Sequence, residues 1–216
     1  MRLGECTAHS AIALKDSWDA MSKQNRIAAR FRIENGKNFK LKHVDPADTG
    51  QISSKEEAKQ LLEEGIAALQ DMQDKLYAQD QWALLIVIQA MDAAGKDSLI
   101  KHVMSGVNPA GCEVHSFKAP SAEELDHDFL WRHAFHLPAR GKIGIFNRSH
   151  YEEVLVVRVH RELLHEEKIP RPLVTKKIWK ERLEDICAWE RYLGRNGWSS
   201  ENFFCTSHEK NKGGAF

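Results

Sequence analysis

The chain has 216 residues, 42% of them hydrophobic, and its 31 basic side chains balance 31 acidic ones at zero formal net charge. This is enough apolar material for one domain with an extension, and the neutral total argues against bulk nucleic-acid binding while leaving room for a local basic channel. No apolar run approaches membrane-span length and no basic-then-apolar leader opens the chain, so a cytoplasmic protein with no membrane and no nucleic-acid partner is expected.

Residues 1–50 read as an N-terminal extension. Arg26, Arg30 and Arg32 lie close together, and Phe39 and Leu41 alternate with Lys37, Lys40 and Lys42 before His43. This pattern fits a short edge strand, an extended basic arm, or a solvated tail. Asp45-Pro46-Ala47-Asp48-Thr49-Gly50 is a turn by its composition. Ser53 or Ser54 then offers an N-cap, with Glu56 and Glu57 in the first turn. Ala58, Leu61, Leu62, Gly65, Ile66, Leu69, Met72 and Leu76 follow at spacings of three and four, which predicts a long amphipathic helix.

The stretch Leu84–Ser98 organises the rest. It begins as an unbroken, β-branched apolar run, the signature of a strand buried on both faces of a parallel sheet. It turns through Ala90, Ala93, Ala94 and Gly95 to Lys96, after which Leu99, Ile100 and Val103 recur at helical spacing. Strand, small-residue loop, lysine and helix is the layout of a phosphate-binding loop. Amides at the start of such a helix can cradle phosphate oxygens, which assigns Ala93, Ala94, Gly95, Asp97 and Ser98 to phosphate or nucleotide binding. Lys96 adds a positive charge where phosphate charge develops. Ala90 stands at the loop's first small position, and Asp97 stands where Ser or Thr usually meets magnesium. Asp92 is a carboxylate among phosphates and makes sense there only with a divalent cation between them.

Beyond this loop, Val114–Phe117 reads as a second strand, ending at Lys118-Ala119-Pro120. Ser121 caps a predicted helix whose buried side runs through Leu125, Phe129, Leu130, Ala134 and Phe135 to Pro138. Gly141–Arg148 reads as a third strand, Tyr151–Val159 as a helix, and Ile178–Leu193 as another. Strands alternating with helices predict a three-layer α/β/α fold on a parallel sheet. Ligands bind off the carboxyl ends of such strands, so Asn147 and Arg148 fall beside the phosphate loop if the two strands are neighbours. His127, His133 and His136, near Asp126 and Asp128, have no recognised metal-ligand spacing and read as a solvated helix face before a metal site. Cys6, Cys112, Cys187 and Cys205 are scattered without a CxxC pair, which favours reduced thiols.

Several blocks in order resemble the family-2 polyphosphate kinases. They include Asp45-Pro46-x-Asp48-Thr49-Gly50, Leu76-Tyr77-Ala78-Gln79-Asp80, Met91-Asp92-Ala93-Ala94-Gly95-Lys96-Asp97 and Lys101–Pro109. Phe117-Lys118-Ala119-Pro120-Ser121, Asp126–Arg132 and Phe146-Asn147-Arg148-Ser149-His150-Tyr151-Glu152 continue the match, which runs from about Phe39 to Gly197. The resemblance implies a P-loop kinase fold with a helical lid, in a homo-oligomer (dimer or tetramer). It implies magnesium-assisted transfer of a terminal phosphoryl group between inorganic polyphosphate and a nucleoside mono- or diphosphate. By that analogy Asp92 holds the metal, Lys96 meets the transferring phosphate, and Asn147 with Arg148 closes the other end of the site. Lys101, Lys118 and Arg132 become candidates for a polyphosphate track. Two other readings stay open: a phosphate-binding module without turnover, and an ATP-dependent nucleotide kinase of the same fold.

The resemblance lapses after Gly197, where residues 198–216 show no strand or helix period and read as a disordered tail. Codons exist for this stretch that, read one base earlier, give an apolar strand and then a basic segment. A frameshifted or truncated gene is therefore expected, with a sheet short of one core strand and an incomplete lid. A missing buried strand would cost several kcal/mol, leaving the chain poorly stable or inactive.

Overall fold

The computed structural model describes residues 23–37, 39–91 and 94–206. Helix α1 (Lys23–Phe31) precedes the long helix α2 (Lys55–Gln79), and strand β1 (Ala83–Ala90) leads into helix α3 (Lys96–Val103). Then come β2 (Cys112–Ser116), the short helix α4 (Trp131–Phe135), β3 (Ile143–Asn147), α5 (Glu152–Val159), α6 (Ile178–Arg195) and β4 (Trp198–Cys205). The four strands form one sheet in the order β2-β3-β1-β4, and every neighbouring pair is parallel.

Alternate residues of β1 serve the two faces of the sheet, as the strand period of two requires. Leu85 and Val87 join Phe146, Tyr151, Val154 and Ile186 in a core beneath α5 and α6. Ile88 joins Ile143 and Ile145 on the other face, against Leu69 and Leu76 of α2 and Ile100 of α3. This is the expected three-layer α/β/α arrangement. No described helix is long and apolar enough to cross a membrane.

Helix α2 starts at Ser54, whose hydroxyl accepts from Glu57 N–H at 3.0 Å while the Glu57 carboxylate accepts from Ser53 N–H at 2.7 Å. It ends at Asp80 in the left-handed region at φ 47°. Gln73, buried on this helix, donates to Asn108 O and accepts from Asn108 N–H, both at 2.8 Å, so a side-chain amide stands in for a backbone partner.

Three expectations are corrected and one open reading is narrowed. The 198–216 tail is not structureless throughout: Trp198–Cys205 is β4, paired with β1 along its whole length from Ala83↔Trp198 to Ala90↔Cys205. The sheet therefore has a strand in the place expected to be vacant, while residues 207–216 lie outside the described residues. The helix expected from Ser121 is broken. The cap forms, with Glu124 N–H bonded to Ser121 Oγ and Ser121 N–H to the Glu124 carboxylate, yet only a 3-10 turn (Glu124–Asp126) follows, with α4 beginning at Trp131. Of the three readings of the basic segment near Lys40, the edge strand is the one set aside, since Leu41–His43 forms a 3-10 turn. Among the described cysteines, Cys112 and Cys205 are free thiols but Cys187 is disulfide-bonded, so the thiols are not all reduced.

Gly144 of β3 faces the buried ring of Pro138, and a Cβ built there would lie 2.7 Å from Pro138 Cδ. A rigid ring cannot yield that space. Gly144→Ala is expected to lower unfolding stability by about 1–3 kcal/mol, measured by urea denaturation.

Candidate functional site

The parallel order puts the carboxyl ends of β1 and β3 side by side, with Ile88 opposite Asn147. From β1 the chain passes through the small-residue loop, within which Ala94 N–H bonds back to Met91 O at 3.1 Å. Asp92 and Ala93 lie outside the described residues. Gly95 precedes α3 at φ 77°, a left-handed backbone that glycine adopts without cost. Leu99 N–H to Gly95 O at 3.0 Å opens the helical hydrogen bonding, so the amides of Lys96, Asp97 and Ser98 belong to the unpaired first turn. Gly95 supplies no side-chain cap. Such a terminus favours anions.

Lys96 is the first residue of α3, with its side chain 23% exposed and Nζ 3.4 Å from Asp97 Oδ1. Asn147 Nδ2 donates to the same Asp97 oxygen at 2.7 Å and lies 3.2 Å from Ser116 Oγ at the end of β2. The Asn147 hydrogen bond, then the charge of Lys96, hold the Asp97 carboxyl below its ordinary range, and the Arg148 charge acts in the same direction. Asp97 therefore knits the loop helix to the end of β3, a role that its departure from the usual Ser or Thr did not announce. Ser116 was also missed, its one signal being its place at the carboxyl end of a predicted strand.

Arg148 takes φ 64°, its N–H bonded to Ile88 O at 3.0 Å and its guanidinium 3.9 Å from the Glu152 carboxylate. Ser98, Lys101 and Lys118 are exposed. Arg132 is not. It is 8% exposed, donates to Lys118 O at 2.9 Å, pairs with Glu124 at 3.1 Å and lies over the Phe117 ring. Its guanidinium is buried against Lys118 O, Glu124 and Phe117, out of reach of a surface polyanion, so its place in a polyphosphate track is corrected: it holds the Lys118 loop. His133 is 2% exposed and burial holds it neutral, down to about 2, and His127 stacks on Trp131. No metal-binding cluster of histidine, cysteine and carboxylate side chains occurs among the described residues.

A metal on the phosphates would meet oxygen donors. Asp97 offers an ionised, exposed carboxylate, while Asn147 turns its Nδ2 toward that carboxylate and keeps Oδ1 buried without a partner. The Asp97 carboxylate is an oxygen donor of the kind a small, hard cation takes.

The family model of polyphosphate kinase 2 matches residues 51–213. This chain belongs to the polyphosphate kinase 2 family. It is 47% identical over 184 residues to the ADP-polyphosphate phosphotransferase of Rhodopseudomonas palustris, covering 85% of this chain and 62% of that protein. It is 41% identical over 179 residues to the AMP/ADP-polyphosphate phosphotransferase of Meiothermus ruber, covering 81% of this chain and again 62% of the relative. The crystal structure of Polyphosphate Kinase 2 from Arthrobacter aurescens TC1 superposes with a TM-score of 0.73 at 34% identity, over 83% of this chain and 60% of that one. The chain thus spans about 62% of the length of these two curated relatives. The family match extends past Gly197, through β4.

Proposed function

We propose that the protein transfers a terminal phosphoryl group between inorganic polyphosphate and a nucleoside mono- or diphosphate, with magnesium. One observation carries the reading: an uncapped helix start bearing Lys96 sits at the carboxyl edge of a parallel sheet, tied through Asp97 to Asn147 beside Arg148. Phosphoryl transfer asks the protein for positioning and charge stabilisation, and this cluster offers both. The first-turn amides of α3 bind phosphate oxygens. Lys96 neutralises charge on the group in transit, and Arg148 spreads positive charge over the opposite side. Asp97 fixes the Lys96 and Asn147 side chains relative to each other. Asp92, with Asp97 near it, would hold magnesium, which would supply further charge neutralisation on the phosphates. Lys101 and Lys118 are exposed cations suited to a long polyanion, and Arg132 supports Lys118 from beneath.

The test is a coupled assay with polyphosphate and ADP or AMP. ATP or ADP is expected to form only with polyphosphate present, and to fall by about two orders of magnitude or more when magnesium is chelated. Turnover with ATP as the sole donor would favour a nucleotide kinase instead. Polyphosphate binding without turnover would favour a binding module.

A further inference from the structure

Away from the phosphate loop, one interior carboxylate gathers side chains from three elements. Glu190 of α6 is 8% exposed. Its Oε1 accepts from Tyr151 Oη at 2.7 Å and from Asn202 Nδ2 of β4 at 3.3 Å, and lies 3.5 Å from Nε2 of His150. His150 is fully buried, and neither ring nitrogen has a hydrogen-bond partner. Burial by itself would raise the Glu190 carboxyl, but His150, Tyr151 and Asn202 outweigh it and keep the group below its usual range. A buried charge met from three sides holds its neighbours in place, because each would otherwise leave it unpaired.

Two of those neighbours, His150 and Tyr151, are the far end of the turn from β3 into α5. Ser149, His150 and Tyr151 are 1%, 0% and 8% exposed. Immediately before them, Arg148 has the left-handed backbone described above, a conformation uncommon for a residue with a long side chain. Such a backbone persists where its surroundings over-determine it. On one side the constraint is the bond from Arg148 N–H to Ile88 O. On the other it is the pair of anchors, His150 and Tyr151, that meet Glu190.

We propose that Glu190 is a positioning residue for Arg148: by fixing Tyr151 and His150 it holds the turn that presents the guanidinium to the phosphate site. Glu190 lies outside the phosphate loop and acts through the turn alone. The kinetic part of the test rests on the phosphotransfer reading, and the structural part does not.

Amide hydrogen exchange reads the turn directly. In Glu190→Gln, exchange at Arg148–Tyr151 is expected to accelerate about tenfold while the amides of β1 and β3 keep their rates. Unchanged rates at the turn, or an equal acceleration across the sheet, would overturn the proposal. Tyr151→Phe removes one of the anchors with little change of volume and is expected to give a smaller acceleration at the same amides, so the proposal stays testable if Glu190→Gln does not fold. In turnover, Glu190→Gln is expected to lower kcat about tenfold with the KM for nucleotide and polyphosphate within about twofold, and to cause no further fall in an Arg148→Ala background. An equal fall in both backgrounds would make Glu190 merely structural and overturn its role. Wild-type protein without polyphosphate-dependent turnover would defeat the functional reading, and hydrogen exchange would then decide the positioning role by itself.

Discussion

Lys96→Met is expected to cut turnover with polyphosphate and ADP on the order of a hundred- to a thousandfold while leaving the unfolding midpoint nearly unchanged. The two halves of this expectation come from the same geometry. Lys96 begins α3 next to amides that have no helical partner, so its charge adds to theirs where phosphate charge would concentrate. Its contact with Asp97 is a 3.4 Å pair whose acceptor side chain is 75% exposed. Exposed pairs of that kind contribute little to folding. Lys96→Arg is expected to rescue poorly, since a planar fork cannot replace a compact ammonium in a loop built of small residues. Steady-state kinetics with a thermal melt checks both halves, and activity within threefold of wild type in Lys96→Met would remove the lysine from the site.

Arg182→Met is expected to be the most damaging single change to stability, about 3–5 kcal/mol near pH 8. Arg182 is 3% exposed and sits between two carboxylates, pairing with Glu153 at 3.1 Å and with Glu167, and it lies over the rings of Phe129 and Trp179. Its loss would leave two carboxylates facing each other out of water. Burial, then the charge of Glu167, already pushes the Glu153 carboxyl up to about 7 even with the guanidinium present. Removing that cation raises it further. A carboxyl whose folded pKa exceeds its unfolded value holds more protons when folded, so stability falls as pH rises between the two values. The deficit of the variant should therefore shrink toward pH 5 and widen toward pH 8. Urea denaturation at those two pH values reads it, and a deficit independent of pH would show that lost packing, not charge, dominates.

The phosphate loop and its neighbour were legible because their signals are local. An apolar β-branched run marks β1, small residues mark the turn, and a lysine before a periodic helix marks the start of α3. Asn147 and Arg148 followed from one added rule, that parallel strands present their carboxyl ends together. Arg132 was misread because a guanidinium looks alike in sequence whether it faces water or a backbone carbonyl under a phenylalanine. The Ser121 helix was overextended because its capping signal is real, while the chain leaves the helical path after Asp126 and resumes at Trp131. Glu190 was invisible for another reason: a charged residue in an amphipathic helix reads as the wet face until Tyr151, His150 and Asn202 arrive from distant parts of the chain.

Strand β4 was the largest omission. Trp198-Ser199-Ser200-Glu201-Asn202-Phe203-Phe204-Cys205 shows no alternation and is polar through its middle, yet it lies along β1 in full register. Ala83 N–H reaches Gly197 O at 2.9 Å at one end, and Met91 N–H reaches Cys205 O at 3.0 Å at the other. Trp198 is pinned by its indole N–H to Pro138 O at 3.0 Å, with the Arg140 guanidinium over its ring. Peptide groups are the same whatever letter they carry. A strand recruited mainly through them, and fastened at a few points, leaves most of its spelling open to rewriting. Among the described strands, the outer place beside β1 is thus secured by main-chain pairing and a few side-chain fasteners, which is why composition alone gives no sign of it.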